Sequence, residues 1–261
     1  MKKFLKKTSL FLVTAAMTVS APLMAWALEH DIVILHTNDI HCGINDNIGF
    51  AGLAQIKKDA LVRTPNVALV DAGDAIQGAP IGKLSRGLAV VDIMNYLGYD
   101  FCIPGNHEFD YGMDRFMELV PLQRAGYYCA NFVYAGNNKQ VLPGYKIMQY
   151  EDTKVAFVGA STPESLTTST PTFFQNEKGK YIYSFCEDKT GNKLYKQLQK
   201  NIDKARKDGA EYVFIVGHLG MDGTTPQWSS ENVAKNTQGV DAVIDGHSHE
   251  RFTRMVKNKV G

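Results

Sequence analysis

The 261-residue sequence contains only four cysteines and no Cys-x-x-Cys pair, which excludes a zinc ribbon and a thioredoxin-type redox motif. It also lacks a GxSxG nucleophile elbow, an HExxH metalloprotease helix and a Rossmann GxGxxG turn. Gly78-Ala79-Pro80-Ile81-Gly82-Lys83 resembles a P-loop, but it is one residue short between the glycines and has Leu84 where Ser or Thr holds magnesium. No fixed-period repeat or low-complexity linker occurs, and 44% apolar content with 10% aromatics supplies a real core, so disorder, collagen and coiled coil are excluded.

Acidic residues are missing from positions 1 to 27, where Lys2, Lys3, Lys6 and Lys7 precede an apolar run from Leu10 to Ala25 and the small-residue stretch Ala25-Trp26-Ala27. This is the layout of a secretory signal peptide with cleavage after Ala27. The alternative, a retained membrane anchor, is disfavoured by Thr14, Thr18, Ser20 and Pro22 within a run shorter than a spanning helix. The remaining 234 residues carry 24 basic and 27 acidic side chains, a net charge of −3, with no electrostatic footprint for a nucleic-acid polymer or an anionic membrane. The expected localisation is therefore exported: periplasmic, cell-surface or secreted. There Cys42, Cys102, Cys129 and Cys186 could pair in three ways that spacing does not separate, although Cys102 and Cys129 lie in apolar stretches that suit small buried side chains.

Short β-branched runs alternate with amphipathic stretches, the pattern of a layered α/β domain. Strands are expected at 31–36, 67–72, 100–103, 127–130, 145–150, 154–160, 212–216 and 241–245, and helices at 52–63, 88–97, 113–122, 194–207 and about 229–236. Leu194, Leu198, Ile202 and Ala205 form one helical stripe, and Lys193, Lys196, Lys200, Lys204 and Lys207 form a solvated face opposite it. Glu151-Asp152-Thr153 reads as the turn of an antiparallel hairpin, which makes a mixed sheet. Ser161 to Thr172 reads as a surface loop.

Chemistry-bearing residues collect directly after the expected strands: Asp39-Ile40-His41, Asp71-Ala72-Gly73-Asp74, Gly105-Asn106-His107-Glu108-Phe109-Asp110, Gly217-His218 and Gly246-His247-Ser248-His249. In an open α/β sheet the loops leaving the carboxyl ends of strands converge on one crevice, so five clusters spread over two hundred positions meet there. His, Asp and Asn are ligand types of a hydrolytic metal site. One ion is saturated by about four protein ligands. The candidates are Asp39, His41, Asp74, Asn106, His218, His247 and His249, a surplus that points to two divalent metals sharing a carboxylate bridge, with Asp74 the candidate. Such a pair deprotonates a bridging water and neutralises phosphoryl charge, so phosphoester hydrolysis follows. Nitrogen and oxygen ligands suit zinc, manganese or iron. His107, oriented by Asp110 three residues on, suits a general acid, whereas a structural role for Asp110 is to cap the helix near Met113. His36 reads as a core or edge residue and His30 as solvated.

These clusters, with Ile34-Leu35-His36-Thr37-Asn38 before the first and Asp245 before the last, resemble the amino-terminal catalytic domain of secreted 5′-nucleotidases. Those are calcineurin-like metallophosphatases, a group that includes 2′,3′-cyclic-nucleotide phosphodiesterases and UDP-sugar hydrolases. The resemblance implies an α/β four-layer sandwich of two mixed β-sheets flanked by helices, incomplete at its carboxyl end. It implies Asp39, His41 and His249 on one metal, Asn106, His218 and His247 on the other, Asp74 between them, Asn106 on the phosphate side of the substrate, and His107 with Asp110 as the catalytic dyad. Ala130-Asn131-Phe132 and Thr162-Pro163-Glu164 match family positions with structural roles. The expected substrate is a small-molecule nucleotide, and the oligomeric state is open. Residues 28–261 are expected to form the catalytic domain, with the family's carboxyl-terminal nucleotide-binding domain absent from this chain and base recognition unassigned. A rival expectation is a non-catalytic fragment that binds metal or nucleotide.

Overall fold

A computed structural model of the chain describes residues 31–221 and 225–257. The expected signal peptide and His30 lie outside them. The strands are β1 Val33–Thr37, β2 Val67–Asp71, β3 Phe101–Cys102, β4 Val133–Tyr134, β5 Tyr145–Tyr150, β6 Thr153–Ser161, β7 Tyr183–Ser184, β8 Tyr212–His218 and β9 Ala242–Ile244. The helices are α1 Gly49–Arg63, α2 Pro80–Ser85, α3 Leu88–Leu97, α4 Met113–Leu119, α5 Ser165–Thr168, α6 Asn192–Lys207 and α7 Ser230–Asn236.

One sheet has the order β1-β2-β3 with all strands parallel, and the other has the order β5-β6-β8-β9, with β5 antiparallel and the rest parallel. A two-stranded antiparallel ribbon, β4-β7, lies apart. The mixed character expected from the sequence thus belongs to the second sheet alone. The hairpin turn there is Glu151-Asp152, because Thr153 already pairs with Tyr150.

Alternation along the strands builds the layers. Ala68, Val70, Phe101 and Ile103 from the first sheet meet Val155, Phe157 and Val216 from the second in an inter-sheet core. The opposite faces are covered by helices: Leu69 and Cys102 pack with residues of α1, α3 and α4, while Ala156, Val158, Val213 and Ile215 pack with residues of α6 and α7. β2 is buried at every position, which is why Val67 to Val70 read as an unbroken apolar run. α6 buries Leu194, Leu198, Ile202 and Ala205 and leaves its five lysines exposed, as its periodicity predicts.

Two expectations need correction. Residues 127–130 form no strand; Tyr127 makes a single parallel bridge to Cys102, and the segment is apolar because it is buried, with Tyr128 stacked on Phe101 at 4.6 Å. The Ser161–Thr172 stretch is not a surface loop: it completes β6, forms α5, and fully buries Ser161, Thr162 and Ser165. Its polar side chains are satisfied internally, which composition does not reveal. The P-loop-like segment enters α2, whose Pro80 occupies the first helical turn, where a missing N–H costs nothing. All four cysteines are free and buried.

Candidate metal centre

The carboxyl edges of the two sheets face each other, and every expected ligand stands on a segment leaving one of those edges. The backbone bends sharply there. Asp39, His41, Asp74, His247 and His249 all have left-handed φ, at 49°, 46°, 57°, 82° and 54°. Non-glycine residues rarely adopt that conformation, and where it clusters it marks a constrained functional site. Two glycines let the loops touch: a Cβ on Gly105 would stand 2.2 Å from Asp74 Oδ1, and one on Gly73 2.6 Å from the Gly105 nitrogen.

Two donor groups result, Asp39 with His41 and His249, and Asp74 with His218 and His247; in each, the ligand atoms lie within 4.8 Å of one another. Asp74 Oδ2 joins the groups, 3.0 Å from His218 Nε2 and 3.8 Å from His41 Nε2. Asp39 Oδ1 lies 3.4 Å from His249 Nε2 and 3.9 Å from His218 Nε2. His41 and His249 bring their Nε2 atoms to 3.3 Å, an approach of two electron-pair donors that calls for a shared proton or a cation.

Three of the four histidines commit their other ring nitrogen to an acceptor. His218 Nδ1 donates to the Ala72 carbonyl at 2.7 Å, His41 Nδ1 faces the Gln77 carbonyl at 3.1 Å, and His247 Nε2 faces Glu164 Oε2 at 3.2 Å. Fixing one nitrogen leaves the other free for a metal and sets its direction, the arrangement of metal-binding histidines generally. Asn106 Oδ1 is buried with no hydrogen-bond partner among the described residues, an orphaned acceptor beside the same cluster. The donor set and the orphaned oxygen both fit divalent cations.

Electrostatics agree. Burial opposes charge on His218, but Asp74 and then Asp39 outweigh it and hold the imidazole up to about 10. Burial likewise opposes ionisation of Asp74, yet the His218 cation keeps this carboxyl well below the usual range. The paired carboxylates thus demand positive charge at the point that His218 Nε2 faces.

His107 borders the more exposed side, its ring centroid 5.2 Å from that of His41. Its Nδ1 is 2.6 Å from Asp110 Oδ2, and that hydrogen bond, opposed by burial and assisted by Asp74, raises the pKa of His107. Asp110 does not cap α4, which starts after Gly112 with no side-chain cap. His36 is exposed on the edge strand β1, apart from the cluster.

Two further residues belong to the assembly. Glu108, named within a motif but given no role by sequence reasoning, is buried and accepts backbone N–H bonds from Asp74 at 2.8 Å, Ala75 at 2.8 Å, Ile76 at 3.3 Å and Gly105 at 2.6 Å. Burial and the neighbouring Asp74 push its carboxyl up to about 7 against the pull of the amides. We assign it the ionised state, because four converging N–H dipoles require an acceptor and a protonated carboxyl would turn a donor toward them. Glu164 Oε1 accepts from both the Thr225 nitrogen, at 2.7 Å, and its hydroxyl, at 2.6 Å, while Oε2 meets His247. An acidic residue in a strand-end motif was a readable signal for Glu108; Glu164 was marked only through the family-like Thr162-Pro163-Glu164, with a structural role, in a stretch that reads as a loop.

Known proteins resemble this chain in sequence and fold. Snake venom 5′-nucleotidase from Gloydius brevicauda is 28% identical over 259 residues, covering 92% of this chain and 40% of that protein. The 2′,3′-cyclic-nucleotide 2′-phosphodiesterase/3′-nucleotidase of Haemophilus influenzae is 26% identical with the same coverages. The crystal structure of calcineurin-like phosphoesterase YfkN from Bacillus subtilis superposes with a TM-score of 0.71 at 25% identity, covering 86% of this chain and 74% of that one. The chain spans about 40% of the length of those two curated relatives. The family model for calcineurin-like phosphoesterases matches residues 32–251, the span that holds both donor groups and the His107–Asp110 pair, and the chain therefore belongs to this family of metal-dependent hydrolases.

Proposed function

We propose that this chain carries, in residues 28–261, the catalytic domain of an exported phosphoesterase that releases phosphate from nucleotides, of the 5′-nucleotidase type. The carrying observation is the pair of donor groups joined through Asp74, with Asn106 Oδ1 as a further donor. Asp39, His41 and His249 would hold one divalent cation and Asn106, His218 and His247 the other, with Asp74 between them. When bound, such a pair polarises the phosphoryl oxygens and lowers the pKa of a water to near neutrality. Zinc, manganese and iron all suit these ligands.

The rest belongs to the protein. Water supplies the oxygen added to phosphorus, the ester P–O bond breaks, and the leaving oxygen takes up a proton. His107 is placed to give that proton: Asp110 holds Nδ1, Nε2 is left for the substrate, and the raised pKa keeps the ring protonated at higher pH. Asn106, adjacent in sequence, would face the phosphate side of the substrate.

Export is supported by the basic and apolar segment of residues 1–27, and a small-molecule substrate by the net charge of −3 over the remainder. The names of the relatives support a nucleotide substrate. The deciding assay is product release by the Mn²⁺-loaded chain, read by chromatography: phosphate from a nucleoside 5′-monophosphate, a nucleoside monophosphate from a 2′,3′-cyclic nucleotide, and UMP with a sugar phosphate from a UDP-sugar. Preference for the monophosphate supports the 5′-nucleotidase type, preference for either other ester reassigns the substrate class, and tight nucleotide binding without release from any of them establishes the non-catalytic reading.

A further inference from the structure

Each end of the Thr162–Ser169 segment touches a different half of the site. Near its start, the Thr162 nitrogen donates to the His218 carbonyl at 2.8 Å, and Glu164 meets His247. At its end, Ser169 Oγ donates to Asp110 Oδ1 at 2.9 Å. Asp110 therefore has one oxygen on a serine 59 positions away and the other on His107 Nδ1. A carboxylate held by a single donor can swing about its terminal torsion; two donors on separate oxygens fix its plane, and with it the imidazole. Ser169 is itself immobilised, only 9% exposed, its nitrogen bonded to the Ser165 carbonyl at the end of α5.

We propose that Ser169 is a positioning residue that acts on the leaving group through Asp110 and His107. The inference rests on the phosphoesterase reading and extends it: His107 hands its proton to the leaving oxygen, and Ser169 holds Asp110 so that the ring presents Nε2 in the required direction. Such a role is confined to esters whose leaving oxygen needs a proton.

The test compares wild type, Ser169→Ala and Ser169→Thr as Mn²⁺-loaded full chains on adenosine 5′-monophosphate, whose alkoxide leaves poorly, and on p-nitrophenyl phosphate, whose phenolate leaves unassisted. Ser169→Ala is expected to lower kcat on the monophosphate by about 10-fold or more and on the aryl ester by less than about threefold, with Thr restoring most of the loss. Equal losses on both esters, no loss on either, or a Thr variant no better than Ala would overturn the proposal. Wild type that releases phosphate from neither ester defeats the underlying reading instead. In that case the low-field proton resonance of His107 Nδ1–H, identified by its disappearance in His107→Ala, decides the matter: displacement by Ser169→Ala supports the positioning role, and an unmoved resonance refutes it.

Discussion

Glu108 illustrates how a single side chain organises this site without facing substrate. Its carboxylate gathers four amides from the loops after β2 and β3, the two loops that carry Asp74 and Asn106. Glu108→Ala strands these buried donors, each at about 1–3 kcal/mol, so urea unfolding should show a loss above about 3 kcal/mol; Glu108→Gln keeps one carbonyl oxygen and should lose less. Asp110→Asn removes the negative partner of His107 while preserving shape. It should lower turnover of a nucleoside monophosphate by about 10²-fold with the urea midpoint nearly unchanged. The histidines and Asp residues were legible in the sequence because they follow strand-like runs. What fixes their ring nitrogens was not, since the Ala72 and Gln77 carbonyls are backbone atoms that any residue supplies.

Among the elements, the loops succeed because glycine permits close approach. A methyl on Gly105 would fall on Asp74 Oδ1, so Gly105→Ala should weaken Mn²⁺ uptake in calorimetric titration by at least about 10-fold while far-UV circular dichroism stays native. Gly159 on β6 provides the contrast. A Cβ there would stand 2.2 Å from the Tyr128 carbonyl, remote from the ligands, and Gly159→Ala should lower Tm. Long elements were readable for the reason that makes them stable: β2 is sheathed on both faces and α6 on one, and each burial pattern writes its own periodicity. β4 and β7, with two residues each, have no room for a periodicity. α5 stayed hidden because it has only four residues and its Ser165 is buried through a hydrogen bond to the Thr162 carbonyl, where composition suggests solvent.

At the scale of the whole molecule, the site is a seam between two sheets. Asp39, from the first, accepts the His247 nitrogen of the second at 3.1 Å across 208 positions, and His218 reaches back to Ala72. Cations held at such a seam bind the folded chain and not the unfolded one, so Mn²⁺ at about 100 times its Kd should add about 2.7 kcal/mol per site, and chelation should lower Tm. The inter-sheet core beneath the seam sustains that geometry without taking part in it. The measurement that tests the account most directly is the number of metal ions per chain, read by mass spectrometry after Mn²⁺ loading and desalting, in wild type and in Asp74→Asn. Two ions are expected in wild type and no more than one in the variant, with phosphate release lowered by at least about 10²-fold. An Asp74→Asn chain that keeps both ions and full turnover would contradict it.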